Sequence, residues 1–283
     1  MAATPATEEL SIRTDDGVEL SGEQRGSGPA IVLLHGLTAT RRYVVMGSRR
    51  LEREGYRTIA YDARGHGRST AAPDRTGYGY ERLARDLEAV MDTLGLRRAV
   101  LAGASMGAHT AVHFALSHPE RVAGLGLITP SFEADLPLDG TVLAGWDALA
   151  RGLREGGVEG FVAAYDFSEV PAAWRETVER VLRQRLAAQE YPSAVADALE
   201  VVPRSRPFGS IEDLAGIRAP TVVVASRDEA DPGHPLAVGE RYAQTIPNAE
   251  FVVEDAGPPA SSPIAWQGGQ LSKVLAELAA RAA

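Results

Sequence analysis

Cysteine is absent from the 283 residues, which excludes disulfides, thiolate nucleophiles and cysteine-held metal centres. Lysine is almost absent: Lys273 is the only one among 29 basic residues. With abundant alanine, this looks like the coding bias of a GC-rich bacterium. Aromatic residues make up 6% of the chain, no basic stripe interleaves with them, and the net charge is −9. That balance argues against nucleic acid or an anionic membrane as a partner. No apolar run reaches the length needed to span a bilayer. The opening segment Met1–Glu9 has neither the basic n-region nor the apolar h-region of a secretory signal, so the expected location is cytoplasmic. Oligomeric state leaves no readable signal. One further scarcity bears on chemistry: of the six histidines, none follows His234.

Hydrophobic residues account for 45% of the chain, enough for a full core in one large domain. Ala30–Leu34 is a continuous apolar run, and similar runs recur at Thr58–Tyr61, Ala99–Ala102, Val122–Ile128, Thr221–Ala225 and Glu250–Val253. Continuous rather than alternating runs indicate strands covered on both faces, as in parallel sheets. Two more strands are expected at Leu10–Thr14 and Val18–Glu23, joined by a turn at Asp15-Asp16-Gly17. Helical spacing of apolar residues marks Arg41–Glu54, Tyr80–Leu94, Met106–Ser117, Pro235–Ile246 and Leu271–Ala280. Strand and helix alternate, which predicts a doubly wound α/β fold with a mostly parallel sheet of about eight strands. Residues 130–207 break that rhythm with helical patterns near Thr141–Glu155, Val158–Tyr165, Ala172–Gln189 and Ser193–Val201. The expected organisation is therefore a core of residues 1–129 and 208–283 with a helical insertion over 130–207.

Gly103-Ala104-Ser105-Met106-Gly107 follows a buried strand and opens a helix, the context that gives a G-x-S-x-G sequence mechanical meaning. The small flanking residues allow a tight, strained turn that lifts the Ser105 hydroxyl clear of the sheet as a nucleophile. Its helix N-terminus favours developing negative charge. His35-Gly36-Leu37-Thr38 also leaves a strand, and its loop can offer the Leu37 N–H to an oxyanion alongside the Met106 N–H. His35 reads as a residue that holds this loop. Asp62-Ala63-Arg64-Gly65-His66-Gly67-Arg68-Ser69 reads as scaffold, pinned by hydrogen bonds among Asp62, Arg64 and nearby backbone.

In the order His-Gly, D-x-R-G-x-G-x-S, then G-x-S-x-G, these motifs resemble the α/β-hydrolase superfamily from about Gly28 to the end of the chain. The resemblance implies an acid after strand Thr221–Ala225, a histidine after the last strand, and a variable helical cap, which the insertion over 130–207 matches. Members often carry proline four residues after the acid. That fits Asp231 with Pro235, and Asp228 is the alternative acid. No cofactor and no metal are expected.

The expected histidine is missing: after Phe251-Val252-Val253 the chain reads Glu254-Asp255-Ala256-Gly257-Pro258-Pro259. A serine hydroxyl is a poor nucleophile until a base takes its proton. His234 shares its loop with both aspartates and is the candidate replacement, oriented by Asp231, Asp228 or an acid after the earlier strand such as Glu133 or Asp135. His109 and His113 have the i, i+4 spacing of a helical metal pair but no evident third ligand. Trp266 stands just past the position of the absent histidine, either walling the pocket or packing at a helix start. Three expectations follow. The first is hydrolysis of a small, fairly apolar ester, lactone or thioester through Ser105. The second is a non-hydrolytic lyase or cyclase reaction on a carbonyl metabolite, and the third is ligand binding without catalysis.

Overall fold

Eight strands form one sheet: β1 (Thr7–Arg13), β2 (Glu19–Arg25), β3 (Ala30–Leu34), β4 (Arg57–Tyr61), β5 (Ala99–Ala104), β6 (Val122–Ile128), β7 (Thr221–Ala225) and β8 (Glu250–Val253). This is a computed structural model, and it describes residues 6–136, 139–168, 170–227, 233–253 and 268–282. The sheet order is β1-β2-β4-β3-β5-β6-β7-β8. β2 runs antiparallel to β1 and β4, and every pairing from β4 to β8 is parallel. All residues of β3 and β7 are buried, which is why their sequences carry no polar alternation.

Helices cover both faces because successive strand side chains point to opposite sides. On one face Val32, Leu34, Ile59, Leu101, Leu125 and Val223 pack under α2 (Tyr80–Thr93), α3 (Met106–Ser117) and α7 (Leu236–Thr245). On the other, Ile31, Leu33, Val100, Val222 and Val224 meet the short α1 (Arg50–Arg53) and α8 (Gly268–Arg281) through Leu51, Leu271, Leu275 and Leu278. Among the described residues no helix is long and apolar enough to cross a membrane.

The helix expected over Arg41–Glu54 does not form as one piece. Arg41–Tyr43 is a 3-10 turn, and Met46 and Gly47 then take φ of 47° and 76° before α1 begins. Left-handed residues cannot sit inside a right-handed helix. The segment is instead fixed by Arg41, whose backbone N–H donates to Asp62 Oδ1 at 2.8 Å and whose guanidinium pairs with Asp62 Oδ2.

Between β6 and β7 lie α4 (Gly140–Ala164), α5 (Arg175–Ala187) and α6 (Pro192–Val201). α4 is kinked at Gly157, where φ is 59°. Its two limbs approach so closely that a Cβ on Gly152 would lie 2.4 Å from the Gly160 carbonyl oxygen. The three helices share their own apolar cluster, centred on Ala150, Leu153, Phe161, Leu186, Val195 and Leu199. They dock on the rest of the molecule where Ala194, Ala198 and Val202 meet Tyr78, Tyr80, Leu83 and Met106.

Candidate active site

Ser105 stands between β5 and α3 with φ 49° and ψ −113°. A non-glycine residue at such angles costs on the order of 1–3 kcal/mol and persists only where its surroundings over-determine it. Here they do: the Ser105 N–H donates to the Ile128 carbonyl at 2.9 Å and its carbonyl accepts from the His109 N–H at 3.0 Å. The two glycines of the motif are sterically required. A Cβ on Gly103 would fall 2.2 Å from the Gly107 backbone, and one on Gly107 would fall 2.2 Å from the Leu34 carbonyl oxygen. Any larger residue at either position pushes α3 away from β3 and β5.

The loop after β3 lies against this turn, for a Cβ on Gly36 would be 3.5 Å from Ser105 Cβ. His35 holds the loop: its Nδ1 is 2.8 Å from the Gly36 carbonyl and its Nε2 accepts from the Ala63 N–H at 2.8 Å. Thr38 takes φ 67°, with its N–H directed at His66 Nε2 over a long 3.4 Å. Leu37 is half-buried and packs against both the inserted helices and the cluster around Met106. Met106 is the first residue of α3, where backbone N–H groups have no partner within the helix.

His234 lies just before α7, and its Nε2 is 2.9 Å from Ser105 Oγ. The structure thus brings together a strained serine, an imidazole nitrogen within hydrogen-bond reach of it, and the loop carrying Leu37. Asp228, Asp231, Trp266 and the stretch Glu254–Pro259 lie outside the described residues. Glu133 and Asp135 form ion pairs with Arg241 of α7, at 3.3 and 2.7 Å.

His109 and His113 do not converge as a metal pair. His113 Nδ1 is 2.9 Å from the Pro207 carbonyl, whereas His109 is buried next to the site. His109 Nε2 accepts from the N–H groups of Ser131 and Phe132 at 3.0 and 3.1 Å, so its Nδ1 carries the proton and donates to the Tyr80 hydroxyl oxygen at 3.0 Å. Among the described residues no group of three or more His, Cys, Asp or Glu is arranged to hold a metal. The spacing that suggested a metal pair in fact places His109 one turn beyond Ser105, where it anchors the chain leaving β6.

Hydrogen bonds pin the 62–69 loop, with Asp62 Oδ2 accepting from the Arg68 N–H at 3.1 Å and the Asp62 carbonyl from the Ser69 hydroxyl at 2.6 Å, but Asp62 and Arg64 do not pair with each other. Asp62 takes Arg41, while Arg64, fully buried, donates to both oxygens of Asp86 at 2.8 and 2.7 Å and reaches Asp16 at 2.9 Å. Removing one partner from such a buried pair costs about 3–5 kcal/mol. Asp86 carried a signal in the sequence: it falls on the apolar stripe of α2 beside Leu83, Leu87 and Val90, where a carboxylate needs a buried partner.

Three buried histidines make the molecule acid-sensitive. Burial pushes His66 down to about 3, with His35 adding to the shift, and burial with the charge of His234 takes His109 to about 3 as well. Burial also lowers His35. An unfolded histidine titrates near 6.5, so the unfolded chain binds more protons and stability falls as pH drops below that value. Asp86 opposes this with one proton: burial raises it to about 6 against the pull of Arg64, so it is protonated in the folded state first. His66 and His109 less Asp86 leave a balance of about one proton, which predicts a loss of about 1.4 kcal/mol per pH unit between pH 6 and 4, and the lowered His35 adds to it in the same direction. Urea unfolding at pH 6, 5 and 4 checks this, and equal midpoints would contradict it.

A cleft of about 450 Å³ opens elsewhere, lined by Arg41, Arg42, Arg49, Glu52, Thr58 and Asp62 among others; neither Ser105 nor His234 lines it. Its size alone does not make it the candidate site, because the hydrogen-bonded Ser105 and His234 lie outside it.

The sequence and the fold have counterparts among known proteins. The profile of the alpha/beta hydrolase fold matches residues 29–261. A 2-hydroxy-6-oxononadienedioate/2-hydroxy-6-oxononatrienedioate hydrolase from Burkholderia vietnamiensis is 33% identical over 262 residues, 88% of each chain. A thermophilic esterase from Thermogutta terrifontis superposes with a TM-score of 0.79 at 27% identity, over 97% of this chain and 99% of the other. An esterase from Exiguobacterium antarcticum does so at 0.70 and 25%, over 87% and 90%. The sheet order, the strained serine turn and the matched span together make this chain a member of the alpha/beta hydrolase fold family and an enzyme of the hydrolase type.

Proposed function

We propose that the protein hydrolyses a small, largely apolar ester, lactone or thioester, with Ser105 as nucleophile and His234 as its base. The observation that carries this reading is the 2.9 Å contact between His234 Nε2 and Ser105 Oγ, made by a histidine from the β7–α7 loop rather than from beyond β8. Neutral Nε2 takes the hydroxyl proton as Oγ bonds to the substrate carbonyl carbon. The oxygen of the tetrahedral intermediate receives the N–H groups of Leu37 and Met106, donors that act most strongly where water is excluded. The bond to the leaving oxygen or sulfur then breaks, and the proton on Nε2 goes to that leaving group. A water molecule then gives a proton to Nε2 and attacks the acyl carbon; the bond from that carbon to Oγ breaks, Nε2 returns the proton to Oγ, and the acid leaves with Ser105 restored. Asp231, or alternatively Asp228, is proposed to orient the imidazole.

The preference for an apolar acyl group rests on the two apolar clusters against which Leu37 packs, one around Phe161 and Leu186 of the inserted helices and one around Leu83 and Met106. The esterase names of the structural neighbours support the bond type, while the curated relative supports a dioate substrate as the second reading. A panel of p-nitrophenyl esters of two to eight acyl carbons, acyl lactones, acyl thioesters and that relative's dioate separates the two. The expected result is turnover of the neutral esters, fastest at intermediate chain length and slowest for acyl groups bearing a carboxylate. Turnover of the dioate alone would replace this reading with the second, and binding without turnover of any member would replace it with a non-catalytic one.

A further inference from the structure

Gln189, just beyond the C-terminal end of α5, has no place in any motif, yet its side chain is almost fully buried and every polar atom of its amide is engaged. Oε1 accepts from the Gly67 N–H at 2.6 Å. Nε2 donates to the Thr38 carbonyl at 2.9 Å and to the Arg185 carbonyl at 3.0 Å, with the Ala39 carbonyl at 3.3 Å sharing the donor. A backbone N–H on one end and three carbonyls on the other fix which end of the amide is oxygen.

These bonds join three separate stretches: the end of α5, the 62–69 loop, and the turn that carries Leu37. Thr38 and Ala39 immediately follow Leu37, and Thr38 occupies a left-handed conformation that a β-branched residue adopts only when held there. Neighbouring contacts run the same way. The Glu190 N–H donates to the Gly67 carbonyl at 2.9 Å, and the Arg185 guanidinium lies over the Tyr43 ring at 5.0 Å from its centroid. The inserted helices therefore reach the oxyanion loop through backbone-directed hydrogen bonds as well as through the apolar packing of Leu37.

We propose that Gln189 is a positioning residue for the oxyanion hole: by holding the Thr38 and Ala39 carbonyls it sets the direction of the Leu37 N–H, so the hole is complete only while α5 is seated. The inference rests on the reading of Leu37 as an oxyanion donor. A loss of alignment matters here because an oxyanion donor contributes in the transition state and not in substrate binding.

The test is Gln189→Met, which keeps side-chain length and apolar fill but removes all four hydrogen bonds, with Gln189→Asn as a second variant that keeps the amide but draws it back by one methylene. Each is assayed for kcat and KM on the best ester, for inhibition by an alkyl boronic acid, for binding of the product acid, and for the active fraction by fluorophosphonate titration. The expected result is a kcat lowered by about tenfold to a hundredfold. KM and product-acid binding should stay within threefold, boronic-acid inhibition should weaken by the same factor as kcat, and the active fraction should be unchanged. Wild-type kcat, a loss carried by KM, or a loss matched by a smaller active fraction would each overturn the inference. So would failure of both variants to fold, because Gln189 would then be a residue of the fold alone. Failure of the underlying reading is distinguishable: in that case Ser105→Ala, not a Gln189 variant, keeps wild-type turnover.

Discussion

Replacing Ser105 with alanine is expected to abolish turnover of the best ester, by about a millionfold in kcat, while leaving the fold intact. That factor is what loss of the nucleophile costs in serine hydrolases, whose triad members act as a unit. The residual rate, on the order of a thousand- to ten-thousand-fold over water, belongs to binding and the oxyanion hole. Ser105→Ala does not disturb the core, because Ser105 itself is only partly buried and its hydroxyl contact is to His234. The backbone bonds to Ile128 and His109 stay in place. The variant should therefore bind the product acid as the wild type does and melt at a similar temperature. Steady-state assays at high enzyme concentration with differential scanning calorimetry check both halves. Retained turnover would move the chemistry away from Ser105 and favour the lyase or cyclase class.

His234→Ala carries the second-largest expected loss, at least about a hundredfold in kcat, which is the low end for a general acid–base group. If His234 is the only base, the loss approaches that of Ser105→Ala, and the two losses do not add. The double variant Ser105→Ala/His234→Ala is then no slower than Ser105→Ala alone. A merely structural histidine between Gly233 and Pro235 would behave differently, lowering the melting temperature and leaving kcat per folded molecule nearly unchanged. Imidazole added to His234→Ala provides a further check, since a diffusible base restores part of the rate only where a proton acceptor was lost.

The buried strands were legible because parallel strands covered on both faces need unbroken apolar runs, and β3, β5 and β7 are such runs. The serine turn was legible for a steric reason: Gly103 and Gly107 stand where no side chain fits. The 41–54 segment was misread because Val44, Val45 and Leu51 have helical spacing although Met46 and Gly47 are left-handed. Apolar periodicity reports which side chains are buried, not whether the backbone between them is continuous. Gln189 left no trace in the sequence, since a glutamine just past a polar helix is ordinary and three of its four partners, Gly67, Thr38 and Ala39, lie 122, 151 and 150 residues away. His109 was visible only as half of an i, i+4 pair. The buried donors from Ser131 and Phe132 that give it a role are main-chain atoms, which sequence does not display.

The central claim is that Ser105 is activated by His234 despite the absence of any histidine beyond it in the chain. Intact-mass and peptide mass spectrometry after treatment with a fluorophosphonate probe test it most directly. The account predicts one adduct per wild-type molecule, located on Ser105, and labelling at least about a hundredfold slower in His234→Ala. An unlabelled Ser105 in active wild-type protein, or equal labelling rates in the two proteins, would contradict it.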